Sequence, residues 1–436
     1  MSILLLKGVH IDYEMNCTKV NVYLGYLLIV FIGPFIFNSC GEPHNTNLVV
    51  SNENEFNSAI QKISPGDTLI IKNGIYLDWS VIVPSKGTPD SLITIRPETR
   101  NGVSFSTSKT VDKPIFRLTG SNLIFGGFVF RDISFSKSIM ELSGTQNVRI
   151  TNCRFHDITG DGRERRMLVL NGDADSNEID HCLFIDNDRV QTLTLRVAPN
   201  EVPKNTHIHH NTFKNLNLRA GGEGSETLQV AQTGIQNDFE DLKLNTLVEN
   251  NHFENIRGDA ETVSNKSNYN IYRHNTFINT NQFVLRSGHY CIVANNTFRD
   301  SNGPAIRMYG SGHRIENNIV KNPSGNGITM NYGMGSGIHS KTLRITTTGC
   351  VVKNNTIENA GGYGIFLGEG RGTDYSGHKN SSRWNSGVIQ NMPPSGNTLT
   401  SNRIINSTEK PIELAGAFNN IITNNQYNNQ YNNQSQ

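Results

Sequence analysis

The stretch that decides the fold runs from 247 to 298, LVENNHFENIRGDAETVSNKSNYNIYRHNTFINTNQFVLRSGHYCIVANNTF. It holds one short unit three times: LVENNHF ending at Phe253, IYRHNTF at Phe277 and IVANNTF at Phe298. Each unit alternates apolar and polar residues, then sets an Asn two places before an aromatic. Alternation over four to six residues is strand periodicity, because successive side chains of a strand point to opposite faces. Outward from this stretch the unit recurs as VRITNCRF at Phe155, EIDHCLF at Phe184 and HIHHNTF at Phe213. Downstream it continues as RIENNIV at Val320, VVKNNTI at Ile357 and LTSNRII near Ile404. Intervals of 21 to 29 residues are interrupted by longer ones, as when loops enter a basic unit. A period of that length signals a solenoid. Short strands with no helices between them predict an all-β, right-handed parallel β-helix, one domain over residues 48–427.

Composition agrees. The 436 residues include 57 Asn and 40 Gly but only 14 Pro, with 18% charged and 36% hydrophobic. A helical bundle or a conventional α/β enzyme is richer in Ala, Leu, Glu and Lys. Disorder brings high net charge and few aromatics, whereas this chain has net charge +1, 20 Phe and 13 Tyr. A near-neutral chain offers no general attraction to nucleic acid, and none is expected as a partner. The repeat explains the Asn. Asn211, Asn251, Asn275, Asn296, Asn318 and Asn355 share one place in the unit. Stacked rung over rung, their amides can bond along the axis as a ladder, and Asn also tolerates the left-handed corners of a coil.

Cys153, Cys182, Cys291 and Cys350 sit in similar contexts, NCRF, HCLF, YCIV and GCVV. With no CxxC pair, zinc and thiol-redox sites are unsupported; buried core positions are expected, with a disulfide left open. Near the start, Phe56, Ile60 and Ile63 fall at helical spacing between Ser51/Asn52 and Pro65-Gly66-Asp67, which predicts a helical N-terminal cap. The segment 428–436 is an Asn/Gln-rich tail.

Residues 1–39 read as an export signal. VYLGYLLIVFIGPFIF, from Val22 to Phe37, follows Lys19 and ends before Asn38-Ser39-Cys40. Sixteen apolar residues are short for a membrane span and suit a signal h-region. The pattern resembles a bacterial lipoprotein signal, which implies lipidation at Cys40, a short linker over 40–47, and a place in the periplasm or on the outer membrane or cell surface. A plain secretory signal and a single N-terminal anchor are the alternatives, and Met15 is a second candidate start. All three place the remainder outside the cytoplasm, with membrane contact only through the N-terminus.

Charge is sparse, so its clusters stand out. GDAETVSNKS holds Asp259, Glu261 and Lys266; one repeat later VLRSGH holds Arg286 and His289. A rung earlier, GGEGSETLQ holds Glu223, Glu226 and Gln229. On a strand Asp259 and Glu261 would face the same side, and Lys266 and Arg286 would lie side by side on adjacent rungs. Paired carboxylates repel unless a cation joins them.

GDAETVSNKS, NIYRHNTF and FVLRSGHYCIVANNTF together resemble the core of polysaccharide lyase family 6, which contains alginate lyases and chondroitinase B. RRMLVLNGDADSNEIDHCLF, GGEGSETLQV and PGDTLIIKNGIY are similar to it as well. The resemblance implies β-elimination on a 4-linked uronic acid polymer, most often alginate. It implies Lys266 as general base, Arg286 as acid or charge stabiliser, and Ca²⁺ held by Glu223, Asp259 and Glu261. Departures are specific: Glu223 stands where the family has Asn, Asp259 where it has Glu, Gln229 where it has Arg, and Ser287 where His follows the catalytic Arg. Further contacts to an anionic uronate polymer are expected from Glu226, Gln229, His289, Arg307, His313, Arg314, Arg165 and Arg166. Tyr375 and His378, in the insertion 361–391, either stack on sugars or pack their own loop, as does Trp384. A dermatan sulfate lyase and a non-catalytic glycan-binding β-helix are the alternatives. A monomer is expected, with a dimer as the alternative.

Overall fold

The computed structural model describes residues 45–162, 165–219, 222–231, 242–337, 340–379, 381–384 and 386–428. The proposed signal, Cys40 and all but the first residue of the tail lie outside these residues. Three sheets run the length of the molecule, sheet A with 14 strands, sheet B with 13 and sheet C with 12. Sheet A extends from Asn47–Val50 to Ile421–Thr423, sheet B from Gly74–Leu77 to Gln426–Asn428, and sheet C from Val81–Val83 to Ile412–Glu413. Successive turns of chain visit the sheets in rotation and pair in parallel with the turn before. This is the parallel β-helix that the repeat predicts.

The repeated unit maps onto two strands and the corner between them. Its apolar half forms sheet A, the Asn lies at the corner, and the aromatic is the second residue of the sheet B strand. Phe155, Phe184, Phe213, Phe253, Phe277 and Phe298 are register partners on successive sheet B strands. Their rings stack with centroids 4.5–4.9 Å apart, the spacing of neighbouring strands. The Asn ladder is present and longer than the sequence set suggests. The Asn211 backbone N–H donates to Asn251 Oδ1 at 3.0 Å, and the pattern repeats through Asn275, Asn296, Asn318, Asn355, Asn402 and Asn425. The residue just before each ladder member takes the left-handed conformation, as Asn250, Asn295, Asn317 and Asn354 do. Ladder and corner are thus adjacent Asn positions with different duties.

All four cysteines beyond the first forty residues are free and buried, which closes the disulfide alternative. A helix forms over Glu53–Ile60, with Asn52 as N-cap accepting from the Glu55 N–H at 3.0 Å. Its buried Phe56 meets Trp79 and Phe116 at centroid distances of 5.6 and 6.0 Å.

Candidate active site

The charged cluster gathers on the outward face of sheet C. Glu261 opens the strand Glu261–Lys266, and its side chain is only 8% exposed. Two guanidiniums converge on one of its oxygens: Arg286 Nε lies 3.1 Å and Arg307 Nη2 3.0 Å from Oε1. Arg286 and Arg307 come from the next two rungs, and Arg307 is the register partner of Val284, itself opposite Ser264. Arg286 Nη1 and Arg307 Nε are buried without a hydrogen-bond acceptor among the described residues. An orphaned buried donor costs about 1–3 kcal/mol, so such a pair has a functional reading.

Asp259 does not sit on the strand beside Glu261 as alternation suggests; it lies in the bend before it. Its carboxylate closes the strand's start, accepting the Glu261 N–H at 3.2 Å and the Gly224 N–H at 2.9 Å. Burial, then the Glu226 carboxylate, and more weakly that of Glu261, push Asp259 up to about 6 against those two donors. Glu226 is buried, and each of its oxygens accepts one amide N–H, from Gln191 at 2.7 Å and Gln229 at 2.6 Å. Thr194 in turn donates to Gln191 at 2.7 Å. Gln191 and Thr194 were not singled out from sequence, although a Gln and two Thr in the wholly buried strand QTLTL were the available signal.

Lys266 ends its strand, and its register partner is Ser287 rather than Arg286. An irregularity between Asn265 and Lys266 puts Arg286 in a bulge. The two cations are therefore offset, and the bulge turns Arg286 back toward Glu261. Arg165 lies on this side of the coil too, donating to Ser225 Oγ at 3.0 Å and the Gly162 carbonyl at 2.7 Å. Burial and the neighbouring Arg189 lower its guanidinium's pKa. Arg166 begins the strand Arg166–Asn171, opposite Gln191.

Several expected polymer contacts are corrected by the structure. His313 is fully buried: Nδ1 accepts the Cys291 N–H at 3.1 Å and Nε2 bonds the Tyr309 carbonyl at 2.9 Å. It does at its corner what Asn397 does for Cys350, so it cannot touch a polymer. Arg314 is on sheet A, paired with Glu316 at 2.9 Å, away from the sheet C face. His289 is buried, with Nδ1 2.9 Å from Ser311 Oγ. Glu226 and Gln229 are buried and bonded to each other, so neither is open to a polymer. In the insertion, the Tyr375 hydroxyl accepts from Nε of Arg344, which lies outside it, at 3.3 Å, while His378 packs on Trp384 of its own loop at 5.0 Å.

The donor set fits a hard cation in part. Asp259 and Glu261 are neighbouring carboxylates, but Arg286 and Arg307 already pair with Glu261, and burial comes first among the causes of the raised pKa of Asp259. Glu223, the third expected ligand, is exposed in a turn. Among the described residues, the group whose ligand atoms all lie within 4.8 Å of one another is elsewhere: Glu178, Asp180 and His209, on sheet A.

Comparison with known proteins adds the family. The Chondroitinase B family model matches residues 50–436. No curated protein matches the sequence. Among solved structures, the chain is similar to the PL6 family alginate lyase AlyGC, at 24% identity and TM-score 0.68, covering 86% of this chain and 51% of that one. The chain thus spans about half the length of AlyGC. It is also similar to a mannuronic acid specific polysaccharide family 6 lyase from human gut microbiota, at 21% identity and TM-score 0.68, covering 86% and 84%. A third is the PL6 family polysaccharide lyase Pedsa3628 from Pseudopedobacter saltans, at 20% identity and TM-score 0.62, covering 89% and 94%. With the fold, the clustered charges and a family match over nearly all of the described chain, this protein belongs to the chondroitinase B family, polysaccharide lyase family 6.

Proposed function

We propose that the protein is a polysaccharide lyase that cleaves a 4-linked uronate polymer by β-elimination, with alginate as substrate. The observation that carries this reading is Glu261 shared by Arg286 and Arg307, on the strand that ends in Lys266. Two guanidiniums on one carboxylate leave positive charge to receive the uronate carboxylate, whose neutralisation makes the C5 proton removable. Lys266 takes that proton as general base. Electrons from the C5–H bond form the C4–C5 double bond as the C4–O bond breaks, and the leaving oxygen gains a proton, with Arg286 beside it as acid or charge stabiliser. Asp259 and Glu261 are the residues that would hold Ca²⁺, which when bound supplies further charge neutralisation at the uronate carboxylate. Alginate is favoured because the structures sharing this fold include enzymes named alginate lyases; dermatan sulfate is next, from the name of the family model.

The test is incubation with alginate, polyguluronate, polymannuronate and dermatan sulfate, reading the ultraviolet absorbance of the unsaturated product. Alginate should give a signal, and Lys266→Ala should lower it about 100-fold or more with an unchanged circular dichroism spectrum. Silence on all four polymers would leave the glycan-binding alternative standing. Exhaustive EDTA dialysis should lower the rate, with recovery on adding Ca²⁺; an unaffected rate would mean that Arg286 and Arg307 suffice. Export with a lipid anchor is proposed from Val22–Phe37 and Cys40. A clickable fatty acid should label the full chain in a bacterial host, and Cys40→Ala should abolish the label.

A further inference from the structure

On sheet A, away from the lyase residues, a second group of ligating side chains converges around a motif that the repeat alone does not explain, His207-Ile208-His209-His210. Residues two apart on a strand face the same way, so the strand His207–His209 presents two imidazoles outward. Register sets Glu178 opposite His207 and Asp180 opposite His209 on the rung before, with Glu249 opposite His209 on the rung after. The ligand atoms of Glu178, Asp180 and His209 lie within 4.8 Å of one another. His209 Nε2 is 2.7 Å from Glu178 Oε1, while its Nδ1 is 2.8 Å from His210 Nδ1. The His207 and His209 rings are 4.0 Å apart, and His207 Nε2 is 3.0 Å from Glu249 Oε1. His181 contacts Asp180 from the other side.

The charges do not balance by themselves. Arg149 grips Asp180 with Nε at 2.9 Å and Nη2 at 2.6 Å, and lies 3.5 Å from Glu178. Arg273 pairs with Glu249. Three carboxylates face two guanidiniums, so the acidic groups outnumber the guanidiniums by one. Nitrogen and carboxylate donors together, at the surface but with Asp180 fully buried, are the chemistry of a borderline cation rather than of Ca²⁺, which takes oxygen alone. We propose that Glu178, Asp180 and His209 bind a transition metal ion of the Zn²⁺ class, with His207 beside them as the next available donor. Arg149 then acts as an outer partner that orients the Asp180 carboxylate, as partners behind metal ligands do. An ion there ties the rung of Glu178–Asp180 to the rung of His207–His209. Its effect falls on stability, and the elimination chemistry on sheet C does not depend on it.

The full chain, stripped of metal with a chelator and dialysed, is titrated with Zn²⁺ by calorimetry and with Co²⁺ by visible absorption. The expected result is one saturable site on sheet A at micromolar or lower concentration, d–d bands from Co²⁺, and a melting temperature that rises with Zn²⁺. His209→Gln and Glu178→Gln, each checked for an unchanged circular dichroism spectrum, should each weaken binding at least about tenfold, while Asp259→Asn leaves the Zn²⁺ affinity alone. Having two ligand variants keeps the test open if one fails to fold. Absence of saturable binding to the wild-type chain overturns the proposal. So does wild-type affinity in both ligand variants, or a loss seen only in Asp259→Asn.

Discussion

Asn296 shows what a single ladder residue does. Its Nδ2 donates to the Tyr272 carbonyl at 2.9 Å and to Asn318 Oδ1 at 3.0 Å, and its Oδ1 accepts from the Asn275 N–H at 2.9 Å. Asn296→Ala deletes these bonds and strands a buried backbone N–H, so a loss of about 1–3 kcal/mol is expected in denaturant unfolding. A loss within error would mean that the amides merely fill their corners. His313 makes a sharper prediction. Burial, more than any neighbour, holds its pKa down at about 3, so the folded ring stays neutral while the unfolded ring takes a proton below its ordinary 6.5. Between those values the unfolded state binds more protons, and stability falls as pH falls. From pH 6.5 to 4.5 this one residue accounts for about 2–3 kcal/mol. His313→Asn, which keeps the corner's hydrogen-bonding pattern, should flatten the acid limb of the stability–pH curve; an unchanged limb would show that other groups set it. His313 was legible in sequence only as a candidate polymer contact. That it points inward was not, because the Asn role it fills is defined by the rungs above and below.

At the scale of the element, the strand Gln282–Ser287 matters most. Its bulge shifts Arg286 off the Lys266 register and sends the guanidinium to Glu261. Gly288 follows at φ 100°, and a Cβ there would come within 2.2 Å of the Ser267 carbonyl oxygen. Neither the backbone conformation nor the space allows another residue, so the chain can leave the strand Gln282–Ser287 this closely only through Gly. Gly288→Ala should cost more than about 1 kcal/mol of stability and lower the rate on alginate through displacement of Arg286; wild-type melting and turnover together would refute this. The strand itself was readable from alternation. The bulge was not, since it arises from pairing between two rungs, and neither rung's sequence encodes its neighbour's register.

At the scale of the molecule, each rung is protected by the next on either side. The final strands Ile421–Thr423 and Gln426–Asn428 are exposed along their whole length, whereas the strand Glu261–Lys266 is buried except at its end. Hydrogen exchange should therefore run fastest in 421–428 and slowest across 261–287; uniform exchange would indicate that the coil opens as one unit. The sequence by itself determined the coil, its Asn ladder and its aligned Phe, because those features repeat and each repeat is a local pattern of alternation; the family resemblance rests instead on the charged motifs GDAETVSNKS and FVLRSGHYCIVANNTF. Only the tertiary structure decided which charges meet. Glu261 and Arg307 are 46 residues apart in the chain and two rungs apart in the coil, His209 and Glu178 31 apart and on adjacent rungs, and both pairs meet only because stacking places each turn of chain one strand spacing from the last.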